Sequence, residues 1–136
     1  MEDNQQAEAS VRWSVTDPLG NKIVLKDKTF EKHIKDDHAL KDAVNRAAIE
    51  EQVKYTLTSP RFIVKTPLEG RVKYLDLVAV PEDNIIKIKT LAIVVENNKC
   101  PFEVVTWMPR RSINEGFKKG EEIYDARMVE ETDLQV

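Results

Sequence analysis

The chain has 136 residues, a hydrophobic fraction of 41%, a charged fraction of 33% and a formal net charge of −3. This is the size of one ordinary domain, and no apolar run approaches the ~20 residues that a membrane-spanning helix needs. The single cysteine, Cys100, excludes an internal disulfide, and the acidic, polar start is unlike a secretory signal, so we expect a cytoplasmic protein.

The N-terminal part of the chain predicts a disordered arm followed by a β-hairpin. Residues 1–10 contain no aromatic or branched aliphatic side chain and therefore predict the arm. Residues 11–15 alternate apolar and polar side chains, which indicates a half-buried strand. A turn is expected at residues 17–21, where Pro18 and Gly20 favour it, and residues 23–25 return as a second short strand.

Two helices are expected next. Asp27 and Thr29 are both good N-caps for the first, in which Phe30 and Ile34 lie on one side. The second helix must end near Ser59, because Pro60 disfavours helix in the residue before it. An apolar stripe at helical spacing marks this second helix and is formed by Leu40, Ala43, Val44, Ala47, Ala48, Val53 and Leu57.

After Pro60 the apolar pattern changes to a period of two. Four strands are predicted, at residues 62–64, 72–78, 85–95 and 102–107, with a last short strand at 123–124. The short gaps between them force antiparallel neighbours. We therefore predict one α+β domain over residues 11–127, in which the N-terminal hairpin and two helices pack on a four- to five-stranded antiparallel meander sheet. Residues 128–136 are expected to be an acidic tail.

The two histidines, His33 and His38, lie within the ten residues from Thr29 to His38. Histidine is the side chain whose ordinary pKa is closest to neutral, so it serves proton transfer at physiological pH. In one continuous helix a spacing of five residues turns the two side chains about 140° apart. They can therefore share a site only if the helix ends between them. The alternative is that both have structural roles.

Short motifs along the chain resemble the phage-associated members of the barnase–EndoU–colicin–RelE-like superfamily of small metal-independent RNases. The resemblance runs from about Ile23 to Tyr124. It departs from the family at Asp37 and Ala39, which flank His38 where relatives often have arginine and proline. The motifs that carry it are Lys28–Ile34 with His38, Leu57–Pro60, Gly70–Tyr74, Val104–Trp107 and Lys118–Tyr124.

The resemblance implies an endoribonuclease in which the 2′-hydroxyl of RNA attacks the adjacent phosphate. It makes His33 and His38 the candidates for proton transfer. Arg71 is the candidate for a bidentate phosphate clamp, and Thr106 for a hydrogen bond to phosphate or ribose. Each of these side chains also has a structural alternative: a hydrogen-bonded histidine, a solvent-facing arginine or an ordinary strand threonine.

Five further residues are candidates for RNA binding. Tyr74 could donate to a phosphate oxygen, and Trp107 could stack on a base, although both aromatic rings would also suit sheet packing. Arg61, Lys118 and Lys119 could contact backbone phosphates. No metal site or cofactor is expected, because the two histidines and their neighbouring aspartates match no metal-ligand spacing.

Three functions remain open from the sequence. The first is a toxin-like or phage- or mobile-element-associated RNase acting on RNA such as tRNA or mRNA, with a neutralising antitoxin or immunity protein as its partner. The second is a non-catalytic protein- or RNA-binding module of immunity or regulatory type, which the acidity and Asp37 favour. The third is a structural α+β domain without a ligand. An enzyme requires His33, Arg71 and Thr106 to converge in one cleft.

Overall fold

The computed structural model describes residues 10–36, 43–82, 84–110 and 121–127, with only the backbone at residues 33, 35, 36, 43–45 and 82. Within these ranges the strands are β1 (Val11–Thr16), β2 (Lys22–Lys26), β3 (Phe62–Lys65), β4 (Arg71–Glu82), β5 (Ile85–Glu96), β6 (Phe102–Arg110) and β7 (Glu122–Asp125). The helical segments are α1 (Asp27–Thr29), a π-helical segment (Phe30–Asp36) that continues it, α2 (Ala43–Ala48) and α3 (Glu50–Thr58). No helix in these ranges is long and apolar enough to cross a membrane.

The described strands form one mixed sheet in the order β1-β2-β6-β5-β4-β3-β7. The α+β class, the β1–β2 hairpin and the antiparallel run from β3 to β6 agree with the prediction. The predicted sheet of four to five antiparallel strands is corrected to seven strands, because β2 pairs with β6 in parallel and β7 joins the outer edge of β3. The predicted arm and tail lie, apart from Ser10, outside the described residues.

The turn between β1 and β2 is built by Asp17. Its carboxylate accepts hydrogen bonds from the backbone N–H groups of Leu19, at 2.9 Å, and Asn21, at 2.8 Å. Gly20 has a φ of 89°, which a residue without Cβ adopts at little cost. The predicted turn is therefore present at residues 17–21, and it fixes the start of β2.

The helices cover one face of the sheet, which we call the helix face. The buried side chains Phe30 and Ile34 point into the core from the π-helical segment, as their spacing predicts. Helix α3 ends at Thr58, two residues before Pro60. Val53 and Leu57 of α3 are fully buried and belong to the same core. These contacts fix the helical layer over the centre of the sheet.

The opposite side of the sheet is called the far face here. Side chains alternate between the two faces of a strand. Val72, Tyr74, Ile93 and Trp107 belong to the core under the helices. The residues between them therefore lie on the far face, which includes Arg71, Lys73, Leu75, Ala92, Val94, Thr106 and Arg110. A smaller buried apolar cluster on this face consists of Phe62, Val64, Leu75 and Ala92.

Glu50 ties the start of α3 to β1. Its carboxylate accepts a hydrogen bond from Arg12 at 2.5 Å and one from the Trp13 ring N–H at 2.8 Å. The hydrogen bond from Arg12 is the main cause that lowers the pKa of Glu50, with a further contribution from Trp13, although burial opposes both. A carboxylate with a lowered pKa stabilises the fold above its ordinary pKa, about 4.3, and loses that effect as the pH falls through the lower folded value.

We expect Glu50→Gln to lower the free energy of unfolding at pH 7 by about 1 kcal/mol, since Arg12 is partly exposed and water screens the pair. The difference from the wild type should shrink as the pH falls through the lowered pKa of Glu50. Urea unfolding at pH 7 and pH 3 measures it. Glu51→Gln is the matched control, because the Glu51 side chain is 83% exposed. A difference between Glu50→Gln and wild type that is equal at both pH values would contradict this account.

Candidate active site

Arg46 of α2 is a buried arginine that reaches the sheet at β6. Its side chain is 1% exposed. Its Nε donates a hydrogen bond to the carbonyl oxygen of Trp107 at 2.7 Å, and its Nη2 donates to the hydroxyl oxygen of Thr106. The ring N–H of Trp107 donates in return to the carbonyl oxygen of Arg46 at 2.8 Å. These three hydrogen bonds fix the orientation of both Arg46 and Thr106.

The position of Arg46 follows from the way the sheet is paired. In the described structure β2 pairs with β6 only at Phe102 and Glu103. Further along β6, the carbonyl group of Trp107 therefore has no hydrogen-bond donor from β2. A buried carbonyl group without a donor is costly. Arg46 provides that donor, and in doing so it brings its guanidinium group to Thr106. Thr106 is half-buried, so part of the residue remains open to solvent.

The π-helical segment lies beside the same part of β6. Its first residue, Phe30, packs on Trp107 with the ring centroids 6.3 Å apart. The backbone of His33 belongs to this segment, whereas its side chain lies outside the described part of the structure. We call the arrangement of Arg46, Thr106, Trp107 and the π-helical segment the β6 corner. His38 lies outside the described residues.

Arg71 is on the far face with Thr106, but it is not beside it. The Cα of Arg71 pairs with that of Glu96 on β5, whereas Thr106 pairs with Val94. Two strand spacings separate β4 from β6, which is roughly 10 Å. Arg71 instead lines a surface groove of about 420 Å³ with the loop at residues 66–70 and Asn97. The backbones of Arg71 and Thr106 are therefore two strands and two register positions apart.

Tyr74 and Trp107, both predicted to bind RNA, are core residues. Trp107 is 0% exposed and Tyr74 is 1% exposed. The hydroxyl group of Tyr74 donates to the carboxylate of Asp17 at 2.5 Å, and burial, followed by this bond, raises the pKa of Tyr74. In this structure neither ring offers a face to a base or a hydroxyl group to a phosphate. Both rings lie on strands whose apolar and polar residues alternate. That sequence pattern is the same whether the ring packs in a core or stacks on a base.

We expect Tyr74→Phe to lower the free energy of unfolding by about 1–3 kcal/mol, because the buried carboxylate of Asp17 loses a hydrogen-bond donor. RNA affinity and cleavage should not change. Chemical denaturation and an RNA-binding assay on the same preparation test both statements. Tyr55→Phe is the control, since Tyr55 is 69% exposed. A loss of RNA affinity at unchanged stability would instead give Tyr74 a binding role.

Of the remaining predicted RNA contacts, the structure describes Arg61. It is exposed just before β3, and its guanidinium group lies 5.6 Å from the ring centroid of Phe62. The guanidinium group of Arg127 lies at the same distance from that ring. Strand β3 is three strands from β6 in the sheet, so Arg61 is remote from the β6 corner. Lys118 and Lys119 lie outside the described residues.

Arg46 is the functional candidate that reasoning from the sequence missed. Its signal is its spacing: Arg46 is three residues before Ile49 and seven before Val53, both of which are buried. A charged residue in the apolar stripe of a helix must find hydrogen-bond partners in the core. The partners could not be predicted, because they lie about sixty residues further along the chain.

Comparisons with known proteins agree with the resemblance seen in the motifs. The profile of the family described as phage-Barnase-EndoU-ColicinE5/D-RelE like nuclease 2 matches residues 2–125. This range includes His33, Arg46 and Thr106. Neither the comparison with curated proteins nor that with solved structures gives a match.

Proposed function

We propose that this chain, which belongs to the phage-Barnase-EndoU-ColicinE5/D-RelE like nuclease 2 family, is a metal-independent endoribonuclease. The observation that carries the proposal is the hydrogen bond from the buried guanidinium group of Arg46 to the hydroxyl group of Thr106, beside the segment that holds His33. Membership of a nuclease family supports a nucleic acid as the substrate. A histidine and an oriented hydroxyl group support chemistry on the 2′-hydroxyl of RNA.

In the proposed reaction, a base takes the proton of the 2′-hydroxyl and the freed oxygen attacks the adjacent phosphorus. The bond to the 5′ oxygen breaks, and an acid returns a proton to that oxygen. The products are a 2′,3′-cyclic phosphate and a 5′-hydroxyl. His33 is the proposed proton-transfer group, and His38 is the candidate for the second proton transfer. Such general acid–base groups contribute typically 10²–10⁴-fold to the rate.

Thr106 is the proposed donor to the phosphate. Arg46 occupies one lone pair of the Thr106 hydroxyl group and leaves the hydroxyl proton free to point toward a non-bridging phosphate oxygen. A hydroxyl group that accepts from a cation is polarised and donates more strongly. A donor fixed in place before charge develops on the phosphate stabilises the transition state. Because it is 1% exposed, Arg46 acts through Thr106 as a positioning residue.

Arg71 has a different place in this proposal from the one that the sequence suggested. Its separation from Thr106 by the width of β5 favours a contact with a phosphate next to the scissile one. Lys118 and Lys119 remain proposed contacts with the RNA backbone. Arg61 has the weakest support among the basic residues, because β3 is three strands away from β6 in the sheet.

The experiment that tests the function is cleavage of total tRNA and of a short single-stranded RNA in the presence of a chelator. Wild type, Thr106→Val and Arg71→Ala are compared. We expect cleavage by the wild type, a large loss of rate in Thr106→Val, and a weaker effect in Arg71→Ala that is mainly on KM. A folded wild type that cleaves neither substrate would contradict the proposal.

A second candidate function is a non-catalytic module of immunity or regulatory type that binds protein or RNA. It is favoured by the separation of Arg71 from Thr106, because an enzyme was expected to bring these side chains together. It predicts RNA or protein binding without turnover. If the enzyme is toxin-like or belongs to a phage or mobile element, a neutralising antitoxin or immunity protein is the corresponding partner.

A further inference from the structure

The far face carries two more basic side chains, Lys73 and Arg110, on the same face as Thr106 of the β6 corner. Lys73 on β4 pairs with Val94 on β5, and Val94 pairs with Thr106 on β6. These three residues form one row across the sheet on the same face. Arg110 lies four residues after Thr106 on β6, which by alternation is again the far face. We use the name basic row for the set of Lys73, Thr106 and Arg110. Arg110 lies further along β6 than Thr106 and pairs with Thr90.

The electrostatics of the basic row favour an anion. Lys73 is half-buried, and its pKa is lowered first by burial and then by the positive charge of Arg110, while Glu121 opposes the shift. Burial and a neighbouring like charge both disfavour a charged ammonium group. A phosphate beside Lys73 and Arg110 would offset the repulsion between their positive charges.

The geometry of the row fits a chain of anions better than a single ion. Lys73 and Thr106 are two strand spacings apart, about 10 Å between Cα atoms. Lys73 and Thr106 are half-buried, as are Val94 and Arg110, so each of these residues keeps part of its surface exposed. Arg71 is two residues before Lys73 on the same face, at the start of β4, where its Cα pairs with that of Glu96. A polymer with regularly spaced phosphates meets these side chains in succession.

We propose that Lys73 and Arg110, together with Thr106, form a binding site for the phosphodiester backbone of RNA, which crosses the far face from β6 toward β4. The site rests on the proposed function in that Thr106 is shared by both. It adds Lys73 and Arg110, neither of which is among the candidate site residues named from the sequence. It also places the scissile phosphate at Thr106 and the flanking phosphates at Lys73 and Arg110.

The test measures binding without cleavage. A fluorescent 2′-O-methyl oligonucleotide lacks the attacking hydroxyl group, and its Kd is measured by anisotropy over a range of salt concentrations. We expect Lys73→Met to weaken binding about tenfold and to reduce the salt dependence by about one phosphate contact. Lys73→Arg should bind within about threefold of the wild type, because it keeps the charge. Arg110→Gln should weaken binding to a similar extent.

Lys22→Met is the control, because Lys22 is an exposed lysine on β2, away from the row. The proposal is overturned if Lys73→Met and Lys22→Met bind alike, or if the wild type does not bind the oligonucleotide. Binding that depends on Lys73 in a protein that cleaves no RNA would support the basic row and contradict the nuclease function. Cleavage of natural RNA, together with binding that does not depend on Lys73, would support the nuclease function and contradict the proposed binding site.

Discussion

Replacing Arg46 by methionine is expected to lower the free energy of unfolding by about 2–4 kcal/mol, the largest effect on stability that we predict for one residue. The change leaves the carbonyl oxygen of Trp107 and the hydroxyl group of Thr106 without their donor in the core. Urea or guanidinium unfolding measures it. Arg61→Met is the matched control, since Arg61 is exposed, and it should change stability by no more than about 0.5 kcal/mol. Equal effects of the two changes would contradict the role of Arg46.

The same residue should affect the rate, because Arg46 orients the hydroxyl group of Thr106. Arg46→Lys keeps a positive charge but loses the fixed fork of donors that serves Trp107 and Thr106 together. We expect the loss of kcat in Arg46→Lys and in Thr106→Val to be strongly non-additive, as for two residues that act as a unit. A double-mutant cycle on kcat, measured on folded protein, gives the coupling. Additive losses would show that Arg46 supports the fold without acting through Thr106.

Replacing His33 by alanine is expected to lower the rate of RNA cleavage by roughly 10²–10⁴-fold, which is the usual contribution of a general acid or base. KM should change little, because the imidazole group acts on a proton in the transition state rather than in binding. The measurement is single-turnover cleavage of a short RNA in the presence of a chelator.

Lys32→Ala is the control for His33, because Lys32 is an exposed neighbour in the same π-helical segment. Its rate should stay within about threefold of the wild type. The pH–rate profile adds a second readout, since the limb that reflects a group with an ordinary pKa of about 6.5 should disappear in His33→Ala. A rate in His33→Ala close to that of the wild type would move the proton-transfer role to another residue, with His38 the next to be replaced.

The parts of the fold that the sequence predicts are those set by neighbours along the chain. The Asp17 turn, the end of α3 before Pro60 and the antiparallel run from β3 to β6 all depend on local residue chemistry and short gaps. The parallel pairing of β2 with β6 joins Ile23 to Phe102. No local pattern encodes a pairing across that separation, so the sequence predicts a sheet with too few strands.

The candidate site shows the same division. The motif predicts Thr106 as a candidate, and in the structure its hydroxyl group accepts a hydrogen bond from Arg46. Arg46 itself was missed, because a buried arginine is recognisable only when its acceptors are known. An aromatic residue in an alternating strand has the same pattern in a core and in a stacking site, and only the structure shows that Tyr74 and Trp107 are buried. Burial depends on how the helices pack on the sheet, so it distinguishes a core residue from a binding residue only once the fold is known.

The most direct test of the proposed RNase uses a short RNA in which the single nucleotide before a mapped cleavage point carries 2′-deoxyribose. The wild type is incubated with this substrate and with the all-ribose substrate in the presence of a chelator, and the product ends are determined. We predict a 2′,3′-cyclic phosphate at the mapped position of the all-ribose substrate and no cleavage there in the substituted one. Cleavage of both substrates at that position would show that the 2′-hydroxyl is not the nucleophile, which contradicts the proposed mechanism.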